Sequence, residues 1–103
     1  MTTIDHARLR REAIRWLIIL TLNNARPIGA FEGLILTVAQ SEYPDATALE
    51  LRRELDYLHE RELVTLDKQP NGRWFATLSR YGVDVAEYTV DCQPGIARPA
   101  KYW

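Results

Sequence analysis

The chain has 103 residues, 47% of them hydrophobic, which suffices for one domain with one modest core. Its 13 lysine and arginine residues against 14 aspartate and glutamate residues give a formal net charge of −1. That balance excludes the overall basic surplus that favours non-specific nucleic-acid binding, and the single cysteine, Cys92, excludes an internal disulfide.

The N-terminal segment, from about Asp5 to Asn24, predicts a first helix. Five apolar residues recur there at helical spacing, namely Leu9, Ala13, Trp16, Leu17 and Leu20. A further set widens the apolar surface beyond one stripe: Ile14, Ile18, Ile19 and Leu22. We expect a helix this apolar to be buried on more than one side, and the extra side could face a second subunit in a homodimer.

Neither a membrane span nor a signal peptide is expected. The longest apolar run, residues 16–20, is far shorter than the roughly 20 residues that a membrane helix needs. The N-terminal arginines do not lead into a small-residue cleavage site. Together with the single cysteine, these features favour a reducing, cytoplasmic location.

The second predicted helix runs from about Ala30 to Gln40 and carries a single apolar stripe. Its members follow the i, i+3, i+4, i+7, i+8 pattern: Phe31, Leu34, Ile35, Val38 and Ala39. Pro44 lies in the following connector, where it prevents the helix from continuing.

The third predicted helix has the sharpest start. Thr47 and Glu50 form a capping box, in which Thr47 accepts from the third amide and Glu50 bonds back. The inward stripe consists of Leu51, Leu55 and Leu58, and the helix should end near Arg61. That orientation places four residues on the opposite face: Leu49, Arg53, Asp56 and Glu60.

After the third helix the periodicity becomes extended. Residues 63–66 predict a short strand, the sequence Gln-Pro-Asn-Gly at 69–72 a turn, and residues 73–78 a returning strand. Residues 79–88 predict a last short helix. The remaining residues, 89–103, contain Pro94, Gly95 and Pro99, so we expect an irregular tail. The predicted organisation is a domain of residues 1–88, including the dimerisation-type first helix, followed by that tail.

Two stretches resemble the winged helix-turn-helix superfamily, especially small bacterial regulators of the ArsR and MarR kinds. The first, Leu-Asp-Tyr-Leu-His-Glu-Arg-Glu-Leu-Val at residues 55–64, has two leucines three apart and a Leu-Val entering the wing. The second, Trp-Phe-Ala-Thr-Leu-Ser-Arg-Tyr-Gly at residues 74–82, is similar to the family's strand followed by Leu-Ser/Thr-x-x-Gly. The resemblance covers about residues 30–86. It implies a mainly α fold with a small antiparallel β wing of two or three strands, whose third helix enters the major groove of DNA.

One position departs from the family pattern, and one further resemblance extends to the tail. The family usually has glycine where Glu62 stands, because the helix ends in a left-handed turn. Glutamate must either accept a strain of about 1 kcal/mol or end the helix differently. The whole chain, including its tail Pro-Gly-Ile-Ala-Arg-Pro-Ala-Lys-Tyr-Trp at residues 94–103, also resembles small winged-helix proteins of Mu-like phages and prophages. That resemblance implies a phage-derived accessory protein.

Five residues are candidates for binding double-stranded DNA: Arg52, Arg53, Lys68, Asn71 and Arg73. On the third helix, Arg53 could grip a phosphate or the edge of a guanine, and Arg52 could contact a phosphate. The alternative is that both arginines form local ion pairs with Asp56, since the spacings of four and three residues permit it. From this helix alone, an ordinary solvated face is the favoured interpretation.

The distribution of charge shifts the expected DNA contacts away from the third helix. Residues 27–64 contain three basic and eight acidic residues, a net charge of −5. Residues 1–26 carry +3 and residues 65–82 carry +2. Because phosphate contacts dominate affinity, we expect the wing and the start of the first helix to contribute much of any DNA binding. The alternative for the wing residues is that the tip of a hairpin is polar only because polar residues keep it soluble.

Catalytic chemistry is not indicated. The only histidines, His6 and His59, and the only thiol, Cys92, form no recognisable nucleophile-base arrangement and only a weak metal set. The five glycines are scattered, so no phosphate-binding loop is present. We therefore expect a protein that is not an enzyme and that has no metal or cofactor.

Two classes of function remain open. One is a DNA-binding transcriptional regulator, dimeric through the first helix. The other is a winged-helix protein-interaction module whose acidic third helix no longer binds DNA. The aromatic tail, ending in Lys-Tyr-Trp, could dock on a partner, although docking on the first helix of its own domain is favoured.

Overall fold

The structure is a computed structural model that describes residues 3–103. It contains four helices, α1 (His6–Asn24), α2 (Glu32–Glu42), α3 (Ala48–Glu60) and α4 (Arg80–Ala86). Three strands, β1 (Ala30–Phe31), β2 (Val64–Lys68) and β3 (Trp74–Leu78), form an antiparallel sheet in the order β1-β3-β2. The predicted fold class, mainly α with a small β wing, is confirmed. We call residues 64–78, the β2–β3 hairpin with its turn, the wing.

Helix α1 is buried on several sides, as its apolar content predicts. It contacts α2, α3, α4 and β3. The most buried side chains are Ile14, Ile18, Ile19 and Leu22, each at most 1% exposed. Of the predicted stripe, Trp16 is buried, whereas Leu9 is 49% exposed and Leu17 and Leu20 are half-buried. The widening set, rather than that stripe, therefore forms the core face.

Helix α2 begins two residues later than predicted, because Ala30 and Phe31 form strand β1. These two residues pair with Ala76 and Phe75 of β3. A two-residue strand carries no detectable alternation, and its existence depends on partner residues that lie 44 and 46 positions away in sequence. Within α2, Ile35 and Ala39 are buried, whereas Leu34 is 55% exposed, so the predicted stripe is only partly buried.

Helix α3 begins and packs as predicted. The Thr47 hydroxyl accepts from the Glu50 amide at 3.2 Å, and Leu51, Leu55 and Leu58 are at most 1% exposed. The second half of the predicted capping box is absent, because the Glu50 carboxylate binds Arg10 instead. On the outer face, Leu49 is 62% exposed and Arg53 is exposed. The orientation of α3 therefore matches the prediction.

The end of α3 settles how Glu62 is accommodated. The Leu63 amide donates to the Leu58 carbonyl and the Glu62 amide to the His59 carbonyl, both at 3.0 Å. This is a Schellman motif, which requires a left-handed residue at its centre. Glu62 has a φ of 63°, so it adopts the conformation that the family gives to glycine.

We therefore expect Glu62→Gly to raise the free energy of unfolding by about 0.5–1 kcal/mol, since glycine adopts positive φ without strain. Chemical denaturation followed by circular dichroism measures this. Glu62→Ala, which removes the carboxylate but keeps Cβ, is the matched control and should not stabilise. A gain of the same size in both variants would assign the effect to charge rather than to backbone conformation.

The tail is irregular and packs against its own domain. The Ala97 amide donates to the Glu12 carbonyl at 3.1 Å, and Arg15 Nη1 donates to the Gly95 carbonyl at 2.8 Å. Ile96 is 9% exposed and belongs to the core. These contacts agree with docking on α1. Within residues 3–103, none of the helices combines the length and apolar content that crossing a membrane requires.

Candidate nucleic-acid interface

Helix α3 and the wing, which carry the five residues predicted to bind DNA, lie side by side. Contacts between side chains join them. Lys68 Nζ lies 3.2 Å from Asp56 Oδ1 and 4.3 Å from the centre of the Trp74 ring. The Arg52 guanidinium lies 4.7 Å from the same ring and donates through Nη2 to the Gly72 carbonyl at 2.7 Å.

Arg52 is engaged by α2 rather than by its own helix. Its Nε donates to Glu32 Oε2 at 2.6 Å, and its Nη2 donates to Glu32 Oε1. These hydrogen bonds lower the pKa of the Glu32 carboxyl, although burial opposes the effect, and they raise the pKa of Arg52. The alternative in which Arg52 pairs with Asp56 is therefore wrong.

Asp56 is engaged by the wing, through Lys68. The interpretation that it occupies both arginines is wrong for Arg53 as well, since Arg53 is exposed and its guanidinium forms no ion pair in residues 3–103. Sequence spacing made the local pair plausible, because residues three or four apart are neighbours on a helix. A hairpin that folds back beside α3 supplied a competing cation that the spacing could not reveal.

The turn at the tip of the wing uses Asn71 for structure. Its Oδ1 accepts from the Arg73 amide at 3.0 Å, and the Gly72 amide donates to the Gln69 carbonyl at 2.9 Å. Gly72 has a φ of 85°, which only glycine adopts readily. The Arg73 guanidinium is exposed and lies 3.8 Å from the centre of the Phe31 ring. Arg53 and Arg73 are thus the two candidate cations that form no ion pair in the described part of the chain, although Arg73 lies near enough to Glu32 to help lower the pKa of its carboxyl.

The net charge of −5 over residues 27–64 overstates the acidity of this surface. Arg10 Nε and Nη2 each donate to the Glu50 carboxylate at 2.8 Å, and Arg10 Nη1 donates to Asp45 at 2.9 Å. Arg15 pairs with Glu54 at 2.8 Å. Two arginines of α1 therefore engage three of the eight acidic residues and offset two of their negative charges.

The same pairs weaken the prediction that the start of α1 contributes much of the affinity for DNA. Arg10 and Arg15 are bound to carboxylates of the segment 45–54, and Arg8 lies 3.1 Å from Glu12. Arg11 is exposed and forms no ion pair within residues 3–103. Residues 1–26 carry a surplus of positive charge in sequence, but ion pairs within the folded protein offset most of it.

Among residues 3–103, no three side chains of His, Cys, Asp or Glu lie close enough to hold a metal ion. Cys92 is half-buried, and burial raises the pKa of its thiol. His59 Nδ1 lies 3.1 Å from the Val64 carbonyl, a contact that links α3 to β2.

The fold resembles that of solved structures. A crystal structure from Ralstonia eutropha JMP134, of a protein named a "putative DNA-binding protein", resembles this chain with a TM-score of 0.60 and 22% sequence identity. The match covers 86% of this chain and 100% of that one. No family model and no curated protein matches. At this identity the likeness concerns the fold.

Proposed function

We propose that the protein is a winged-helix DNA-binding protein that acts as a transcriptional regulator, of the phage or prophage descent that the whole-chain resemblance implies. The observation that carries the proposal is the pair of exposed guanidinium groups, Arg53 on α3 and Arg73 on the wing, beside acidic residues whose charge is largely compensated. The likeness to a solved protein with a DNA-binding name supports it. On this proposal the five residues predicted to bind DNA contribute unequally to the affinity.

In the proposed complex, α3 lies in the major groove with Arg53 on a base edge or phosphate, and Arg73 contacts a phosphate beside it. Lys68 contributes as a cation and also neutralises Asp56 at 3.2 Å. Asn71 shapes the turn, although its amide nitrogen remains available to a phosphate. Because the wing carries two of the cations, Lys68 and Arg73, we expect it to contribute more than α3 to the affinity.

The test is binding to mixed-sequence duplex DNA, measured by fluorescence polarisation over a series of salt concentrations. We expect affinity to fall as salt rises, because bound phosphates release counterions. The double variant Lys68→Ala/Arg73→Ala should lose more affinity than Arg53→Ala, and its salt slope should shrink by about two, since each lost phosphate contact removes about one. Removing Lys68 also leaves Asp56 unpaired beside the DNA.

Arg26→Ala is the control, because Arg26 pairs with Glu87 at the far end of α1 from the arginines that contact α3. It should leave both affinity and slope unchanged. Absence of binding at low salt, or an affinity that does not depend on salt concentration, would instead favour the protein-interaction module. The exposed acidic residues Glu60 and Glu62 would then be the candidate contacts for a basic partner.

We propose further that the protein is a homodimer through α1 and α2. An apolar groove of about 440 Å³ lies between these helices, lined by Leu17, Leu20, Thr21, Asn24, Ala25, Leu34 and Val38. No charged side chain lines it, so a second copy would meet no like-charge repulsion there. Leu34, which lines the groove and is 55% exposed, supplies an apolar side chain for the corresponding groove of the partner.

Light scattering at micromolar concentration should give twice the mass of the chain, and Leu34→Glu should give a monomer, because the interface would then bury two unpaired carboxylates. Leu49→Glu is the matched control, as Leu49 is similarly exposed but lies on α3. It should leave the dimer intact. A monomeric mass for the unaltered protein would overturn this proposal without affecting the one for DNA.

A further inference from the structure

Three segments that are distant in sequence meet at one carboxylate, that of Glu32 in the first turn of α2. The Glu32 carboxylate accepts Nε and Nη2 of Arg52 from α3, and its Oε1 also accepts the Trp74 amide of β3 at 3.4 Å. Arg52 Nη2 reaches onward to the Gly72 carbonyl at the wing tip, 2.7 Å away. One ion pair thus touches α2, α3, the wing turn and the start of β3.

The outer half of the wing needs such a support. Strand β1 pairs with β3 only at Phe75 and Ala76, so residues 68–74 extend beyond the sheet's third strand. A two-stranded hairpin without further packing is marginal in water. What holds the outer half is α3, through Arg52 above the Trp74 ring and through Lys68 bound to Asp56.

We propose that Arg52 and Glu32 form a clamp that positions the wing against α3, and that Arg52 is a positioning residue rather than a DNA contact. Both Nε and Nη2 of Arg52 are already donated within the protein. A phosphate that captured them would leave the Glu32 side chain, 17% exposed, without its cation. A carboxylate also repels a phosphate approaching the same guanidinium. The consequence for DNA rests on the proposed function, whereas the clamp itself does not.

The clamp is tested without DNA by amide hydrogen exchange of the wing in Arg52→Lys, with Arg53→Lys as the matched control. Lysine keeps the charge but cannot form the bidentate pair. We expect the turn amides of Gln69 and Gly72, which donate at 2.9 Å within the turn, to exchange about tenfold faster in Arg52→Lys. The Ser79 amide at the base of the wing is the internal reference and should not change. Turn exchange within twofold of the unaltered protein, or equal acceleration by Arg53→Lys, would overturn the clamp.

DNA binding is a second test, because the two possible roles of Arg52 predict opposite changes in affinity. If Arg52 positions the wing, Glu32→Gln weakens binding although it removes a negative charge, and Arg52→Lys weakens binding with an unchanged salt slope. If Arg52 is itself a phosphate contact, Glu32→Gln frees it and strengthens binding, and lysine at position 52 preserves affinity, since lysine also binds phosphate. If the unaltered protein does not bind DNA, the proposed function is wrong, and the clamp is then tested by the hydrogen-exchange result alone.

Discussion

Replacing Glu54 with alanine should lower the free energy of unfolding by about 3–5 kcal/mol, because it leaves a buried arginine without its counter-charge. Arg15 Nε lies 2.8 Å from Glu54 Oε1, and the two side chains are 11% and 5% exposed. The guanidinium also lies 3.4 Å from the centre of the Tyr57 ring, so it cannot turn towards solvent without losing that packing. Urea denaturation followed by tryptophan fluorescence and circular dichroism measures the change.

Glu50→Ala is the matched control for that experiment. Glu50 lies one turn earlier on α3 and also pairs with an arginine of α1, at 2.8 Å, but its side chain is 25% exposed. Its loss should cost less than about 1 kcal/mol, as expected for a partly solvated pair. The double variant Arg15→Met/Glu54→Leu should recover most of the stability, because it removes both charges together. Equal costs for Glu54→Ala and Glu50→Ala would contradict the argument.

The same ion pair ties the tail to the core. Arg15 Nη1 donates to the Gly95 carbonyl at 2.8 Å, and a Cβ on Gly95 would lie 2.1 Å from the Tyr57 hydroxyl. Arg15, which lies on α1, thus contacts both α3 and the tail. The double variant should therefore restore global stability yet leave the tail amides around Ala97 more exposed to exchange.

Local patterns in the sequence predicted the helices and the hairpin well. Thr47 caps α3, the leucines at positions 51, 55 and 58 face the core, and Gly72 closes the wing turn. Each of these features depends on residues within a few positions of one another, where spacing reports geometry directly. The buried status of α1 followed in the same way from its apolar content.

The ion pairs could not be predicted, because they join residues far apart in sequence. Arg15 meets Glu54 and Arg10 meets Glu50 across two packed helices, with separations of 39 and 40 residues. Arg52 meets Glu32 across 20 residues. Opposite charges are interchangeable until packing selects partners, so summing charge along a segment misjudged the surface of α3. Strand β1 escaped prediction for the same reason, since its partner strand lies elsewhere in the chain.

Gly82→Ala should destabilise the protein by about 3 kcal/mol, at the upper end of what overpacking usually costs. A Cβ on Gly82 would lie 2.2 Å from the Leu63 carbonyl oxygen and 2.6 Å from Leu78 Cδ1. The Leu63 carbonyl cannot easily withdraw, because it accepts from the Ser79 amide at 3.0 Å and from the Ser79 hydroxyl at 2.9 Å. Relieving the clash therefore breaks hydrogen bonds that join α4 to the start of β2.

Gly33→Ala makes the same chemical change in α2, where nothing lies within 4 Å of the added Cβ. It should stabilise the protein by about 0.5–1 kcal/mol, because alanine favours the helix and restricts the unfolded chain. Opposite signs in the two variants, measured by urea denaturation, would assign the effect at Gly82 to its contact with Leu63. Stability changes of the same sign in both variants would exclude that contact as the cause. Gly82 is the glycine at the end of the Leu-Ser-x-x-Gly stretch that begins at the last residue of strand β3. Packing against Leu63 requires glycine there whether or not the domain binds DNA.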